Sequence, residues 1–561
     1  MSTARHLVRP ALGGLVFAAV LTASAAIGGA AAAAGAGDKW VLVGLGDSLT
    51  HGTMNATNNA VNTQNAYLQR VADKLATVLN LRFTQPLYDF TETRMKPFLI
   101  PTNLGVDGAD SFSMEGLSYH KRAGAPEDTL SAGLMCDRSL LTSKADDYDK
   151  VLYPINLLAR QPVSQVDAAA WTLTQGVKLQ RADRALVVLW IGNNDSSLAA
   201  LGGGGANPSF EPMPFHQVQS ELKPAVRYLL RFGEKSGDVS FAPYTQAAIE
   251  RNLTDLADFT AQFDHLLSRL TTESADSSAD IDWLVLTLAY YNGVGYLIDS
   301  DDLEFYIGKY LPGYTVPASF ARVADPGQPI TDPLRGDRIS LLTFGFMVSL
   351  AATGHSADEV NAVLDDHGTQ QDGLVLNQAE QQFIMSRIDG FNAAIRTLAA
   401  GYGPRVHVVD VGPYLNGAMT GNPAVFAGSH QLTRKWSRGA GFSLDGVHPS
   451  YTAQSLIANF VLREINKPEL FGFGAPLYDL AQVIAMDPYA DQDGDGWVPG
   501  TNDPAHGITQ LLFLLRDTDD TDPSKQAQIP ADIWDQISNI LLHELLGIPA
   551  LAREAERVGI R

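Results

Sequence analysis

The chain has 561 residues, 45% of them hydrophobic and 18% charged, with 40 Lys and Arg against 62 Asp and Glu. That apolar content supports a large folded core and excludes a mainly disordered chain, and a net charge of −22 argues against nucleic acid or an anionic lipid surface as a partner held by bulk charge. Cys136 is the single cysteine, so no intramolecular disulfide can form and stability has to come from packing.

The first ten residues carry Arg5 and Arg9 and no acid, and an uncharged stretch rich in Ala and Gly runs from Ala11 to Gly37. This is the pattern of a cleaved export signal over residues 1–37, which would leave a secreted or periplasmic protein with no stable transmembrane anchor. Removing it takes away Arg5 and Arg9 and no acid, so the mature chain is more acidic still. Trp40-Val41-Leu42-Val43 reads as a buried strand, and Gly46-Asp47-Ser48-Leu49 follows closely. A serine hydroxyl is therefore expected at the carboxyl end of a strand, the edge at which open α/β sheets bind ligands.

A helical pattern spans Ala66 to Leu79, and Asn103-Leu104-Gly105-Val106-Asp107-Gly108-Ala109 then forms a Gly-rich turn where a backbone N–H can approach a ligand closely. The apolar run Ala185 to Ile191 predicts a second strand, ending in Gly192-Asn193-Asn194-Asp195, whose side-chain amides can donate to developing negative charge. A helical pattern over Ala247 to Leu270 and strands over Trp283 to Leu288 and Arg405 to Val411 complete an alternation that predicts a parallel, doubly wound sheet. Three intervals, 114–180, 196–245 and 292–374, exceed normal connections and are expected to be insertions with structure of their own. The last is rich in Tyr and Phe and runs into an apolar helix-like stretch from Leu341 to Ala352; it reads either as a cap over an acyl cleft or as a small local core.

Asp445-Gly446-Val447-His448-Pro449 stands just before a helical pattern over Tyr451 to Ile465. A carboxylate three residues before a histidine, in a turn entering a helix, can hold the ring's Nδ1–H and leave Nε2 free as a base. The four blocks in this order resemble the SGNH subfamily of GDSL hydrolases, over a framework from Trp40 to about Leu462. The resemblance implies a three-layer α/β/α, flavodoxin-like core over residues 38–467, helical insertions included. It also implies Ser48 as nucleophile, Asp445 and His448 as acid and base, and an oxyanion hole formed by the N–H groups of Ser48 and Gly108 and the amide of Asn194. Hydrolysis of a carboxylic ester follows from it; the long insertions and the aromatic segment point to lipid acyl esters as the expected substrate, with acetylated polysaccharide or a small acetyl ester as the alternative. Asp107 departs from the pattern, which has small residues there, and would place a negative charge beside the oxyanion site unless its side chain turns away.

Residues 468–561 form an acidic, partly helical extension, with an amphipathic pattern over Ile533 to Leu546. Within it Asp491, Asp493 and Asp495 fall at positions 1, 3 and 5 of an EF-hand-like loop with Gly496 at position 6, but Asn502 at position 12 cannot give the bidentate carboxylate. A structural calcium and a hydrated acidic turn both fit; catalysis by the resemblance requires no cofactor. The loop also motivates a second class of function, an exported calcium-dependent interaction protein that has lost catalysis. Other motifs fail on inspection: Gly44-Leu45-Gly46 lacks the third glycine of a dinucleotide fingerprint, and His543-Glu544 lacks the second histidine of a zinc protease helix. Oligomeric state has no signature in the sequence.

Overall fold

A computed structural model describes residues 37–54, 58–88, 93–140, 145–201, 244, 246–352, 356–364, 374–443, 445–491 and 496. Five strands form the central sheet: β1 (Lys39–Gly46), β2 (Asn80–Arg82), β3 (Arg184–Trp190), β4 (Asp280–Leu286) and β5 (Val406–Val409). Their order is β2-β1-β3-β4-β5 and every pairing is parallel. This is the flavodoxin-like order, whose switch point lies between β1 and β3. β1 and β3 are buried along nearly their whole length, which is why both read as unbroken apolar runs rather than alternating ones.

Helices α1 (Tyr67–Leu75) and α5 (Tyr451–Ile465) pack against each other on one side of the sheet. On the other side lie α2 (Gln165–Trp171), α3 (Leu256–Glu273) and α4 (Gln378–Gly401). The expected α/β/α layering is thus present. Helix α1 buries Leu68, Val71, Ala72 and Leu75, a stripe at helical spacing. Helix α5 is buried on almost every side, so its sequence shows a broad apolar pattern rather than a clean stripe. Its first turn is fixed by Ser450, whose side chain accepts from Ala453 N, and by Asp487, which accepts from the N–H and hydroxyl of Thr452 at 2.8 and 2.6 Å.

Two differences from the sequence expectation have local causes. The single helix expected over Ala247 to Leu270 is two, Gln246–Asn252 and α3, because Asp255 caps a new helix by accepting from Ala257 N. Strand β5 stops at Val409 rather than Val411, since Val411 already opens a helix running to Thr420. In the aromatic segment, Tyr306 is buried with its ring 5.3 Å from Phe344 and 5.7 Å from Trp436, so that part is a local core. Among the described residues no helix is long and apolar enough to cross a membrane. The export signal over residues 1–37, apart from Gly37 itself, and the helix expected over Ile533 to Leu546 lie outside the described residues.

Candidate active site

Register brings the first and third blocks together. Gly46 pairs with Trp190 at the carboxyl ends of β1 and β3, so the turns beginning at Asp47 and at Ile191 leave the sheet side by side. The second block reaches the same edge by another route. Strand β2 covers only Lys39 to Val41, and beside the upper half of β1 runs Thr102–Val106, which exchanges backbone bonds with Gly44 and Gly46. Gly105 is needed there, because a Cβ on it would lie 2.7 Å from His51 N and 3.0 Å from Asp47 O. Gly108, at φ 69°, ends the segment in a turn that favours glycine.

Ser48 opens a single helical turn, Ser48–His51, capped by the Asp47 carboxylate on Leu49 N. As the first residue of that turn its own N–H has no acceptor within the helix, which suits it to an oxyanion. His448 is held from the opposite side. Its Nδ1 is 2.7 Å from Asp445 Oδ2, while Asp445 Oδ1 accepts from Val447 N at 2.8 Å, His448 N at 2.9 Å and the Ser443 hydroxyl at 3.1 Å. The carboxylate thus reaches back over its own turn, as the three-residue spacing predicts.

Ser48, Asn193 and His448 line one cleft. Its floor is apolar, built from Leu49, Trp190, Leu415, Met419 and Ile457. Tyr290, Tyr291, Val294 and Leu334, from the segment following β4, form another wall. Asn194 lies beside the cleft rather than in its lining: Nδ2 donates to Ala109 O at 2.9 Å and Oδ1 accepts from the Ser197 hydroxyl at 3.0 Å. An amide nitrogen carries two hydrogens, so one stays available for a second acceptor. Asn193, whose amide the sequence offered as a donor to developing negative charge, instead donates to Asp47 Oδ2 at 2.8 Å.

The three turns are laced to one another. Asp47 to Asn193 ties the first to the third, and Asn194 to Ala109 ties the third to the second. Asp195 adds to the latter by accepting from the N–H and hydroxyl of Ser111 at 2.9 and 2.7 Å. Gln165 of α2 donates to the carbonyls of both Gly46 and Leu104, joining the bases of the first and second. Burial pushes the Asp47 carboxyl up to about 7, with the bonds from Asn193 and Leu49 offsetting part of that cost. Burial, with Asp110 nearby, likewise raises Asp195 to about 6.

Asp107 turns toward His51, 3.0 Å from its Nδ1, and also accepts from Asn58 Nδ2 and the Thr53 hydroxyl at 2.8 Å. Burial raises its carboxyl, but the bonds from His51 and Asn58, with the electrostatic pull of His51 and His448, outweigh burial and hold it below its usual range. Of the calcium-loop residues, Asp493 and Asp495 lie outside the described residues, and Asp491 accepts from Gly496 N at 2.9 Å. A different trio, Asp299, Asp301 and Asp302, is close enough to share a cation. Arg434, Lys435 and Arg438 already pair with these carboxylates.

No family model matches the chain, and no curated protein matches it in sequence. Among solved structures, the extracellular lipase from Streptomyces rimosus aligns over 76% of this chain and 99% of its own length at 13% identity, with a TM-score of 0.27. A likeness that loose carries no argument, so the functional reading rests on the site's own geometry.

Proposed function

We propose that this chain is an exported serine hydrolase that cleaves carboxylic esters through an acyl-enzyme. The observation that carries the reading is the His448–Asp445 couple at 2.7 Å, with its histidine lining the same cleft as Ser48. In that mechanism Asp445 holds Nδ1–H and Nε2 of His448 takes the Ser48 proton as Oγ attacks the ester carbonyl carbon. The carbonyl oxygen becomes an oxyanion, received by the N–H groups of Ser48 and Gly108 and the Asn194 amide. Collapse expels the alcohol, which takes its proton from His448; water then repeats the cycle on the acyl-serine and returns the free enzyme. No metal or cofactor takes part in this scheme.

The apolar floor favours an ester with an extended acyl chain, lipid esters included, over an acetyl group, which would leave Leu415, Met419 and Ile457 uncovered. Export is inferred from Arg5, Arg9 and the uncharged stretch behind them. Hydrolysis of p-nitrophenyl esters from acetate to palmitate, by the whole protein and by Ser48→Ala, tests the proposal. Activity on medium or long chains that vanishes in the variant supports it, and activity confined to acetate rejects the acyl-chain reading. A folded protein whose Ser48 takes no label from a fluorophosphonate would be a binding protein instead.

A further inference from the structure

One histidine–carboxylate couple presents His448 to the cleft, and a second stands one helical turn behind the nucleophile. His51 is the last residue of the turn that Ser48 opens, and Asp107 directly precedes Gly108. Their side chains meet at 3.0 Å, 2% and 11% exposed. Both ends of the link are anchored. On the first turn, His51 N donates to Asp47 O at 2.9 Å, His51 O accepts from Gln85 Nε2 at 2.7 Å, and the ring packs edge-on against Tyr88. On the second, Asp107 also accepts from Asn58 and Thr53, which leaves the carboxylate little freedom to rotate.

We propose that His51 and Asp107 form a positioning couple, a strut that sets the distance between the Ser48 N–H and the Gly108 N–H so that both can meet one oxyanion. Thr53, just past the same turn, also donates to Asp107 at 2.8 Å, so the carboxylate gathers two side chains of the first segment, of which His51 is the one inside the helical turn that Ser48 opens. Gln165 joins only their bases, at Gly46 and Leu104, and the Asp47–Asn193 and Asn194–Ala109 bonds both run through the third turn. The acid at 107 is then part of the oxyanion hole's support. Its carboxylate is held by His51, Thr53 and Asn58. The couple touches no reacting atom; it acts through backbone placement, where an error near 1 Å costs about a hundredfold in rate.

The inference rests on the ester hydrolase reading, and the experiment separates the two. The whole protein and its H51L, H51N and D107S variants are compared by kcat and KM on a p-nitrophenyl ester. The rate of fluorophosphonate labelling at Ser48 and Tm are measured alongside. Leucine at 51 keeps bulk without the bond; asparagine places a donor near where Nδ1 stood. H51L and D107S should lose about tenfold to a hundredfold in kcat with KM unchanged, labelling should slow in step, and H51N should recover to within about threefold of wild type. The double variant H51L/D107S should be no slower than D107S alone, because losing Asp107 already breaks the bond to His51 along with those to Thr53 and Asn58. Folded H51L and D107S at wild-type kcat, additive losses, or an H51N as slow as H51L would each overturn the couple. Should D107S not fold, the H51L and H51N pair decides alone. A wild-type protein that neither hydrolyses esters nor labels at Ser48 would instead overturn the hydrolase reading itself.

Discussion

Asp445→Asn changes one atom and should nearly abolish turnover. In the wild-type protein Asp445 Oδ1 is committed to Val447 N, His448 N and the Ser443 hydroxyl, leaving Oδ2 for His448 Nδ1 at 2.7 Å. Asparagine keeps its oxygen on those three donors and so must present its amide N–H₂ to the ring. A donor facing Nδ1 forces the tautomer with the proton on Nε2, the nitrogen that has to accept the Ser48 proton. In a Ser-His-Asp protease the same exchange lowers kcat about 10⁴-fold, and a loss of roughly 10³ to 10⁴ is expected here, about 4 to 5.5 kcal/mol of barrier. The backbone bonds to Oδ1 survive, so the fold and KM should not change. The assay is p-nitrophenyl ester hydrolysis at pH 7 together with fluorophosphonate labelling, with Tm as the control for folding. A folded variant retaining more than about a tenth of wild-type kcat would refute the tautomer argument, because so small a loss is what one displaced hydrogen bond costs, not a wrong proton.

Asn194→Ala should lower kcat by about 10² to 10³ while leaving KM in place, and unchanged turnover would remove Asn194 from the oxyanion hole. Leu415→Trp narrows the cleft floor, so the ratio of octanoate to acetate hydrolysis should fall by at least about tenfold; an unchanged ratio places the acyl chain elsewhere. The raised Asp47 carboxyl has a signature in stability. With a folded value of about 7 against an ordinary 3.8, the native state holds a proton there that the unfolded chain releases. This group's contribution is therefore full below pH of about 4 and is lost as pH rises through about 7. Asp47→Asn cannot ionise, so its Tm relative to wild type should climb from about pH 4 to about pH 7 and level off above that. A difference flat across that range would show that Asp47 is charged in the native protein throughout.

What could be read in advance follows from where each residue's partners lie. β1, β3 and the second half of β4, from Trp283, announce themselves because burial on both faces makes them apolar runs. β2 does not, being three residues whose outer two are exposed, and the upper edge of β1 is closed by Thr102–Val106, a stretch whose bonds no periodicity encodes. Asp445 and His448 were readable because their contact is local, within one turn. His51 and Asp107 stand 56 residues apart, and Asp107 alone looked only like an intrusion of charge. The cleft floor is harder still, since Leu49, Trp190, Leu415 and Ile457 come from four separate parts of the chain and each is an ordinary core residue by type.

The lacing among the three turns bears on how such a site could be remodelled. On the proposed reading each oxyanion donor borrows its position from a turn it does not belong to, so exchanging any one loop for its counterpart from a serine hydrolase would misalign donors that were left untouched. Chimeras that transplant the turns after β1 and β3 together with residues 102–111 should keep turnover, whereas single-loop grafts should fold and stall. On the same reading substrate preference is free of that constraint: Tyr290 and Leu334 of the wall and Leu415 of the floor take no part in these ties, so variation there should change the preferred ester and leave kcat on a short ester in place.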